Sequence, residues 1–307
     1  MSPSALASAA AALGAVLGGC SAKLGQVEYQ KLDGPIGQDG GGGDGAPDDA
    51  LMPDAALGAF STPVAIPGAS GGTSNFDDCV MSQNLLDLIF AIQPSGASSK
   101  SLYEMQRATT ADPWGTPVQL TVLDIGTQEE TPRLSPDDLT LYFGKDGDIY
   151  TSTRATVGGA FSAPTAVATV NTGAYEKWLS VCDNGVMIVS RDNGGSGYDL
   201  FEGTLTGGAT TAATTLNSPQ DETSTFLSTD CLTVYFASSR STQNQIYFST
   251  RPNTSTDWAA PQLAPTPFSP SDGTDNEDAW ESLDLHTFVF ASIRGGSSTK
   301  QVYISTR

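Results

Sequence analysis

Residues 130–143 read Glu-Thr-Pro-Arg-Leu-Ser-Pro-Asp-Asp-Leu-Thr-Leu-Tyr-Phe, residues 145–148 Lys-Asp-Gly-Asp, residues 149–154 Ile-Tyr-Thr-Ser-Thr-Arg and residues 159–164 Gly-Ala-Phe-Ser-Ala-Pro. The apolar runs are short and rich in β-branched and aromatic residues, which suits strands rather than helices. Between them lie Ser-Pro-Asp-Asp and Asp-Gly, whose side chains bond their own backbone or tolerate left-handed dihedrals. The stretch therefore predicts one unit of four short strands, the fourth carrying a proline. Proline cannot donate to a ladder, so that strand belongs at an outer edge.

Working outward, the unit recurs. The third segment returns at Leu102-Tyr103, Leu200-Phe201, Ile246-Tyr247 and Val302-Tyr303, and in three of these four copies it runs on to an arginine: Arg107, Arg251 and Arg307. The second segment returns at Leu88-Ile89-Phe90, Val186-Met187-Ile188, Val234-Tyr235-Phe236 and Phe288-Val289-Phe290. Copies of the fourth stand at Trp114–Pro117 and Trp258–Pro261, with only Ala209–Leu216 in the third unit. One copy is displaced: Phe60-Ser61-Thr62-Pro63-Val64 precedes the first unit, whereas the last unit stops after its third segment at Arg307. Laying the early strand beside Val302–Thr306 completes the last sheet and leaves no free seam. The expectation is an all-β, five-bladed propeller over residues 58–307, with blades at about 72–123, 128–170, 173–217, 220–265 and 275–307 plus 58–68.

Ser135-Pro136-Asp137 with Leu-Tyr-Phe after it, Ser238-Ser239-Arg240, and Gly194 to Leu200 resemble the β-propeller repeat of the TolB family, also called the WD-like Pro-Asp repeat. The resemblance covers residues 58–307 and implies a propeller fold. Such propellers serve as scaffolds, periplasmic binding modules and enzyme appendages, so function has to come from the site.

Ahead of the propeller, Ala5 to Val16 is an apolar run too short to span a bilayer and suited to the core of an export signal. Leu17-Gly18-Gly19-Cys20 follows and resembles the lipobox of bacterial lipoproteins, which implies a signal peptide over 1–19 and a lipid on Cys20. Residues 20–57 include the Gly40–Gly43 tract with scattered Asp and Pro and read as a flexible tether, reaching roughly 30 Å as a Gly-rich coil. The chain is thus expected in the bacterial envelope, outer membrane or periplasm or cell surface, touching membrane through its anchor alone.

The 307 residues carry 34 acidic and 14 basic side chains, a formal charge of −20, which excludes nucleic acid as a partner. Acidic residues recur near each first strand: Asp77-Asp78, Glu129-Glu130, Glu176, Asp221-Glu222 and Glu277-Asp278. Two readings stand: a ring of Asp78, Glu130, Glu176, Glu222 and Glu277 at the channel mouth that binds a cation or a basic group, or a solvated rim. Cys182 and Cys231 occupy equivalent turns in neighbouring blades, as a disulfide or as two buried thiols, and Cys79 reads as core. Trp178 and Trp280 break the repeat and are candidates for stacking a ligand or for the core. No cofactor or metal is expected, since no His and Cys pairs have zinc spacing. No catalytic residue is assigned: His286, the single histidine, has no nucleophile motif beside it. The favoured reading is a tethered module binding an envelope protein or glycan. The alternative is a glycoside hydrolase using Glu281 and Asp284 with Asp192 or Asp230.

Overall fold

The computed structural model describes residues 57–307 apart from 195, 196, 242 and 271; the stretches expected to be export signal and tether, with Cys20, lie outside the described residues up to residue 56. The described residues are all-β and form five four-stranded antiparallel sheets. Blade 1 holds β2 (Asn75–Met81), β3 (Asp87–Gln93), β4 (Ser101–Gln106) and β5 (Val118–Gln119). Blade 2 holds β6 (Glu129–Leu134), β7 (Thr140–Lys145), β8 (Asp148–Thr153) and β9 (Thr165–Ala166). Blade 3 holds β10 (Glu176–Val181), β11 (Val186–Asp192), β12 (Tyr198–Thr204) and β13 (Thr210–Ala212). Blade 4 holds β14 (Glu222–Leu227), β15 (Thr233–Ser238), β16 (Gln245–Thr250) and β17 (Gln262–Leu263). Blade 5 combines β18 (Asn276–Glu281), β19 (Thr287–Ser292) and β20 (Gln301–Thr306) with β1 (Val64–Ala65). First strands touch in the cyclic order β2, β6, β10, β14, β18 and back to β2, so the sheets are wedges around an axis.

The displaced segment closes the ring as its sequence suggests. Val64 pairs with Ile304 and Ala65 with Tyr303. Ser61 donates its amide to the Thr306 carbonyl at 2.8 Å, and the Ser305 hydroxyl donates to the Ser61 carbonyl at 2.6 Å. Phe60 packs edge-on against Phe268, 4.9 Å between centroids, and lies under the Arg307 guanidinium at 4.3 Å.

That last contact is one copy of a repeated clamp. Arg107 lies over Trp114 at 4.4 Å, Arg154 over Phe161 at 4.8 Å and Arg251 over Trp258 at 4.0 Å. Each arginine also donates its Nε–H to the left-handed residue of its blade's first turn: Leu85, Asp138, Cys231 and Leu285. A desolvated cation on a ring contributes up to about 2 kcal/mol. Blade 3 lacks both partners, having Leu205 at the arginine position. Its first turn is instead tied to that of blade 4 by the Cys182–Cys231 disulfide, sulphur to sulphur 2.09 Å.

Every first strand carries a β-bulge, after Asp77, Glu130, Lys177, Thr223 and Glu277. The next residue has positive φ each time: Asp78 at 53°, Thr131 at 57°, Trp178 at 49°, Ser224 at 56° and Asp278 at 57°. Left-handed backbone is costly for such side chains. Its appearance in all five blades marks it as a demand of the architecture, because a bulge bends the inner strand where the sheets converge. Second strands are apolar on both faces, and Phe90, Phe143, Phe236 and Phe290 among them are fully buried.

Candidate functional site

The bulge divides each first strand into a mouth end and a turn end. Below it, towards the turns, the channel is stoppered by Arg133. Its Nε donates to the Thr225 carbonyl at 2.7 Å, and its Nη1 donates to the carbonyls of Pro132 at 2.8 Å and Cys79 at 3.3 Å. Nη2 stands 3.7 Å from Asp278 Oδ1. One side chain thus bridges blades 1, 2, 4 and 5 while only 2% exposed. Cys79, a free thiol in the same strand as Asp77 and Asp78, is fully buried, and burial pushes it well above its ordinary pKa.

At the mouth, two sets of equivalent positions face one another. Three residues before the third-strand aromatic stand Lys100, Gly147, Tyr198, Asn244 and Lys300; immediately before the left-handed residue stand Asp77, Glu130, Lys177, Thr223 and Glu277. The Lys100 ammonium lies 3.0 Å from Asp77, 2.9 Å from Asp78 and 3.6 Å from Glu130. Lys300 pairs with Glu277, and Lys177 with Glu130 at 2.6 Å. Asp278 Oδ2 accepts the Asp78 amide at 2.8 Å, and Asp78 Oδ1 accepts the Trp178 indole N–H at 3.0 Å.

These surroundings split two adjacent carboxyls. Burial, reinforced by Asp78, pushes Asp77 up to about 7. Burial would raise Asp78 as well, but the hydrogen-bonded Lys100, with Lys300 and Lys177, holds it below the usual carboxylate range. Asp278 is pushed well up by burial and by Asp78 and Glu277. The ammonium of Lys100 is stabilised by Asp78, Asp77 and Glu130 against the opposing effect of burial.

The five-membered acidic ring read from the sequence is corrected here. Glu176 and Glu222 lie one register position earlier than Glu130 and Glu277, so their side chains leave the axis. Glu176 accepts from Arg191 Nε at 2.7 Å and from the Thr172 amide at 3.2 Å; Glu222 accepts from Arg240 Nη2 at 2.9 Å and the Ser218 amide at 2.9 Å. Both are fully buried staples that fix an incoming linker to its blade. Asp78 occupies the bulge itself. Among the described residues no group of three or more His, Cys, Asp or Glu side chains can hold a metal ion.

Trp280 is a second correction: it is 2% exposed and packs on Phe226, 6.4 Å between centroids, so it cannot stack a ligand. Trp178 sits at the bulge and stays partly buried at the mouth, edge-on to Tyr198 at 5.9 Å. The hydrolase candidates do not converge. Asp230 and Asp284 close turns by accepting from Ser228 and Ser282 hydroxyls, each at 2.6 Å, on the face opposite the mouth. Asp192 accepts the Gly194 amide at 2.9 Å. Glu281 borders a small apolar cavity of about 80 Å³, takes the Tyr235 hydroxyl at 3.0 Å and is pushed up to about 7 by burial. His286 is exposed, with Nδ1 2.6 Å from the Asp284 carbonyl.

The larger cavity opens where the mouth lacks a lysine. Gly147 stands where blades 1 and 5 place Lys100 and Lys300, and a cleft of about 400 Å³ opens beside it. Its walls are Glu130, Asp146, Gly147, Tyr175, Lys177 and Tyr198. Tyr175 is 59% exposed, and its ring lies so close over Gly147 that a Cβ there would strike it. Gly147 is legible in the sequence as part of the Asp-Gly turn, whereas neither tyrosine stands out; comparing the five equivalent positions is the signal that finds the cleft.

No protein-family model matches the chain, and no curated protein sequence does. Among solved structures, similar ones include a putative TolB from Agrobacterium tumefaciens, 16% identical over 80% of this chain and 85% of that one, TM-score 0.49. An α-L-arabinofuranosidase from Podospora anserina in complex with cellotriose is 13% identical over 80% of this chain and 95% of that one, TM-score 0.51. A GH62 hydrolase in complex with xylotriose is 12% identical over 81% and 96%, TM-score 0.52. At these identities the likeness to the last two establishes a shared fold and nothing beyond it.

Proposed function

We propose that this chain is a binding module of the bacterial envelope, held to a membrane by lipid on Cys20, that takes a glycan or protein ligand at the blade 2–blade 3 side of its mouth. One observation carries the reading: five equivalent positions hold lysine twice, at Lys100 and Lys300, but glycine at 147, and the opening so made is walled by two tyrosines. Repeated positions serve the ring; a departure that opens a walled cleft serves a ligand. The carboxylates at this mouth, Glu130 in the cleft wall included, are paired with Lys100, Lys177 and Lys300, which favours holding a ligand over cleaving it.

The test has two arms. Metabolic labelling with radioactive palmitate should mark the chain expressed with its leader, and Cys20→Ser should abolish the mark; an unlabelled wild type would remove the anchor from the proposal. Retention of solubilised envelope fractions on immobilised full-length chain should fall in Tyr175→Ala. Equal retention by wild type and variant would remove the site.

The hydrolase alternative keeps one observation in its favour, the split between Asp77 and Asp78, since such pairs divide acid and base roles. Release of reducing ends from envelope glycans by the wild type, lost in Asp78→Asn, would establish it.

A further inference from the structure

We infer that the cleft between blades 2 and 3 takes a neutral saccharide of a few rings, a choice of ligand class that rests on the binding reading above. The argument begins with charge. Glu130 is bracketed by Lys177 at 2.6 Å and Lys100 at 3.6 Å. Asp146 is held by Lys145 at 3.1 Å and by the Thr127 hydroxyl at 2.7 Å, which keep it ionised. Each carboxylate already has its ammonium, so the walls carry no uncompensated charge for a cation to neutralise. An anion would have to approach a molecule of formal charge −20.

A paired carboxylate and ammonium still present lone pairs and N–H groups at their outer edges, spaced for vicinal hydroxyls. Glu130 and Lys177 offer such an edge on one wall. Tyr175, exposed over 59% of its surface, and Tyr198 line the same cleft, with the Lys177 ammonium 6.0 Å over the Tyr198 ring. Pyranose rings, with apolar C–H faces and a polar rim, match a cleft lined by aromatic and polar side chains together. Size agrees: about 400 Å³ is small-ligand scale, well short of a protein interface. Main-chain capture of an extended peptide would need an accessible strand edge; β12 is paired on both sides, and the unpaired edge of β10 faces the axis, where β6 and β14 pack against it.

The tyrosines are placed by the backbone. The Tyr175 carbonyl accepts the Asp192 amide at 2.8 Å, and the neighbouring Glu176 amide donates to Gly147 at 2.8 Å. Tyr198 donates its amide to Asp221 at 2.6 Å, and its ring is braced by Trp178. The platform is therefore preformed, which lowers the ordering cost of binding.

Saturation-transfer NMR on the full-length chain, with cellotriose, xylotriose, maltotriose and chitotriose as probes, tests this. Transfer to the ring protons of at least one trisaccharide is expected, with affinity about tenfold weaker in Tyr175→Ala. Leu283→Ala, 53% exposed on the opposite face, should bind as wild type does. Gly147→Ala should also weaken transfer, because its Cβ would push the Tyr175 ring out of place. Tetramethylammonium and sulfate serve as contrasting probes. Transfer to either of these, sensitive to Tyr175→Ala and unaccompanied by sugar binding, overturns the saccharide assignment and leaves the binding site standing. No transfer to any probe, with envelope retention still lost in Tyr175→Ala, also overturns the saccharide alone. No transfer together with unchanged retention overturns both. New anomeric resonances during the titration would replace the binding module with a hydrolase.

Discussion

The two faces of the propeller use the same repeat differently. On the turn face, Ser82, Ser135, Ser228 and Ser282 each donate to the Asn or Asp two residues on, at 2.6–2.7 Å, and the residue after that is left-handed in every blade. On the mouth face the equivalent residues are Lys, Gly, Tyr, Asn and Lys. Where all blades must solve one geometric problem, the residues agree. Where they differ, the connection differs too: blade 2 turns in two residues, with Gly147 at φ 98°, where the other blades use longer loops, and that short turn leaves room for a pocket.

Arg133 lies between the two faces, and its loss should have the largest effect. Arg133→Ala strands buried carbonyls on three blades together with Asp278, and removing one partner of such a buried set costs about 4 kcal/mol. Denaturant unfolding should show it. A cost under about 1 kcal/mol would mean that the faces are held independently of the stopper.

The disulfide is the turn face's substitute for the clamp missing from blade 3. Its cysteines are 49 residues apart, and the Cys182→Ser/Cys231→Ser variant should lose about 3 kcal/mol. Hydrogen exchange should rise first in blade 3; a uniform rise would deny that blade 3 is the weak sector.

The smallest effect separates the faces by pH. Asp77 at the mouth and Glu281 on the turn side titrate near 7 in the folded state, against about 4 in an unfolded chain. Their folded values are raised, so between these limits the folded state binds more protons and stability falls as pH rises. The slope is about 1.4 kcal/mol per pH unit for each group. Asp78, depressed, acts oppositely and loses its contribution only as pH falls below the ordinary carboxylate range. The thermal midpoint should therefore decline between pH 4 and pH 7. Asp77→Asn and Glu281→Gln should each flatten part of that decline, and a flat wild-type profile would show both groups ionised throughout.

Much of this fold is legible in the chain because strands and turns are local. The aromatic at 103, 150, 201, 247 and 303 recurs at the same place in every third strand, and the displaced Phe60 segment does pair with β20. The site is less legible because it depends on a register that one bulge resets. Glu176 and Glu130 look equivalent by proximity to a strand, yet a single step in a β-strand reverses the side chain. Trp178 and Trp280 differ likewise: one occupies the bulge, the other lies two positions beyond its own blade's bulge and turns inward. Arg133 gives no local sign of spanning four blades, since its partners in the other blades, Cys79, Thr225 and Asp278, are remote in sequence.

Ser61 and Ser305, which bond across the seam, are 244 positions apart. A ribosome adding about 5–20 residues per second would take roughly 10–50 s to make the second after the first. For that interval the earliest strand has no neighbour, and the nascent protein is an open arc with two adhesive ends. A chain cut short before β20 can never seal itself, so quality control has a plain criterion for telling finished copies from unfinished ones.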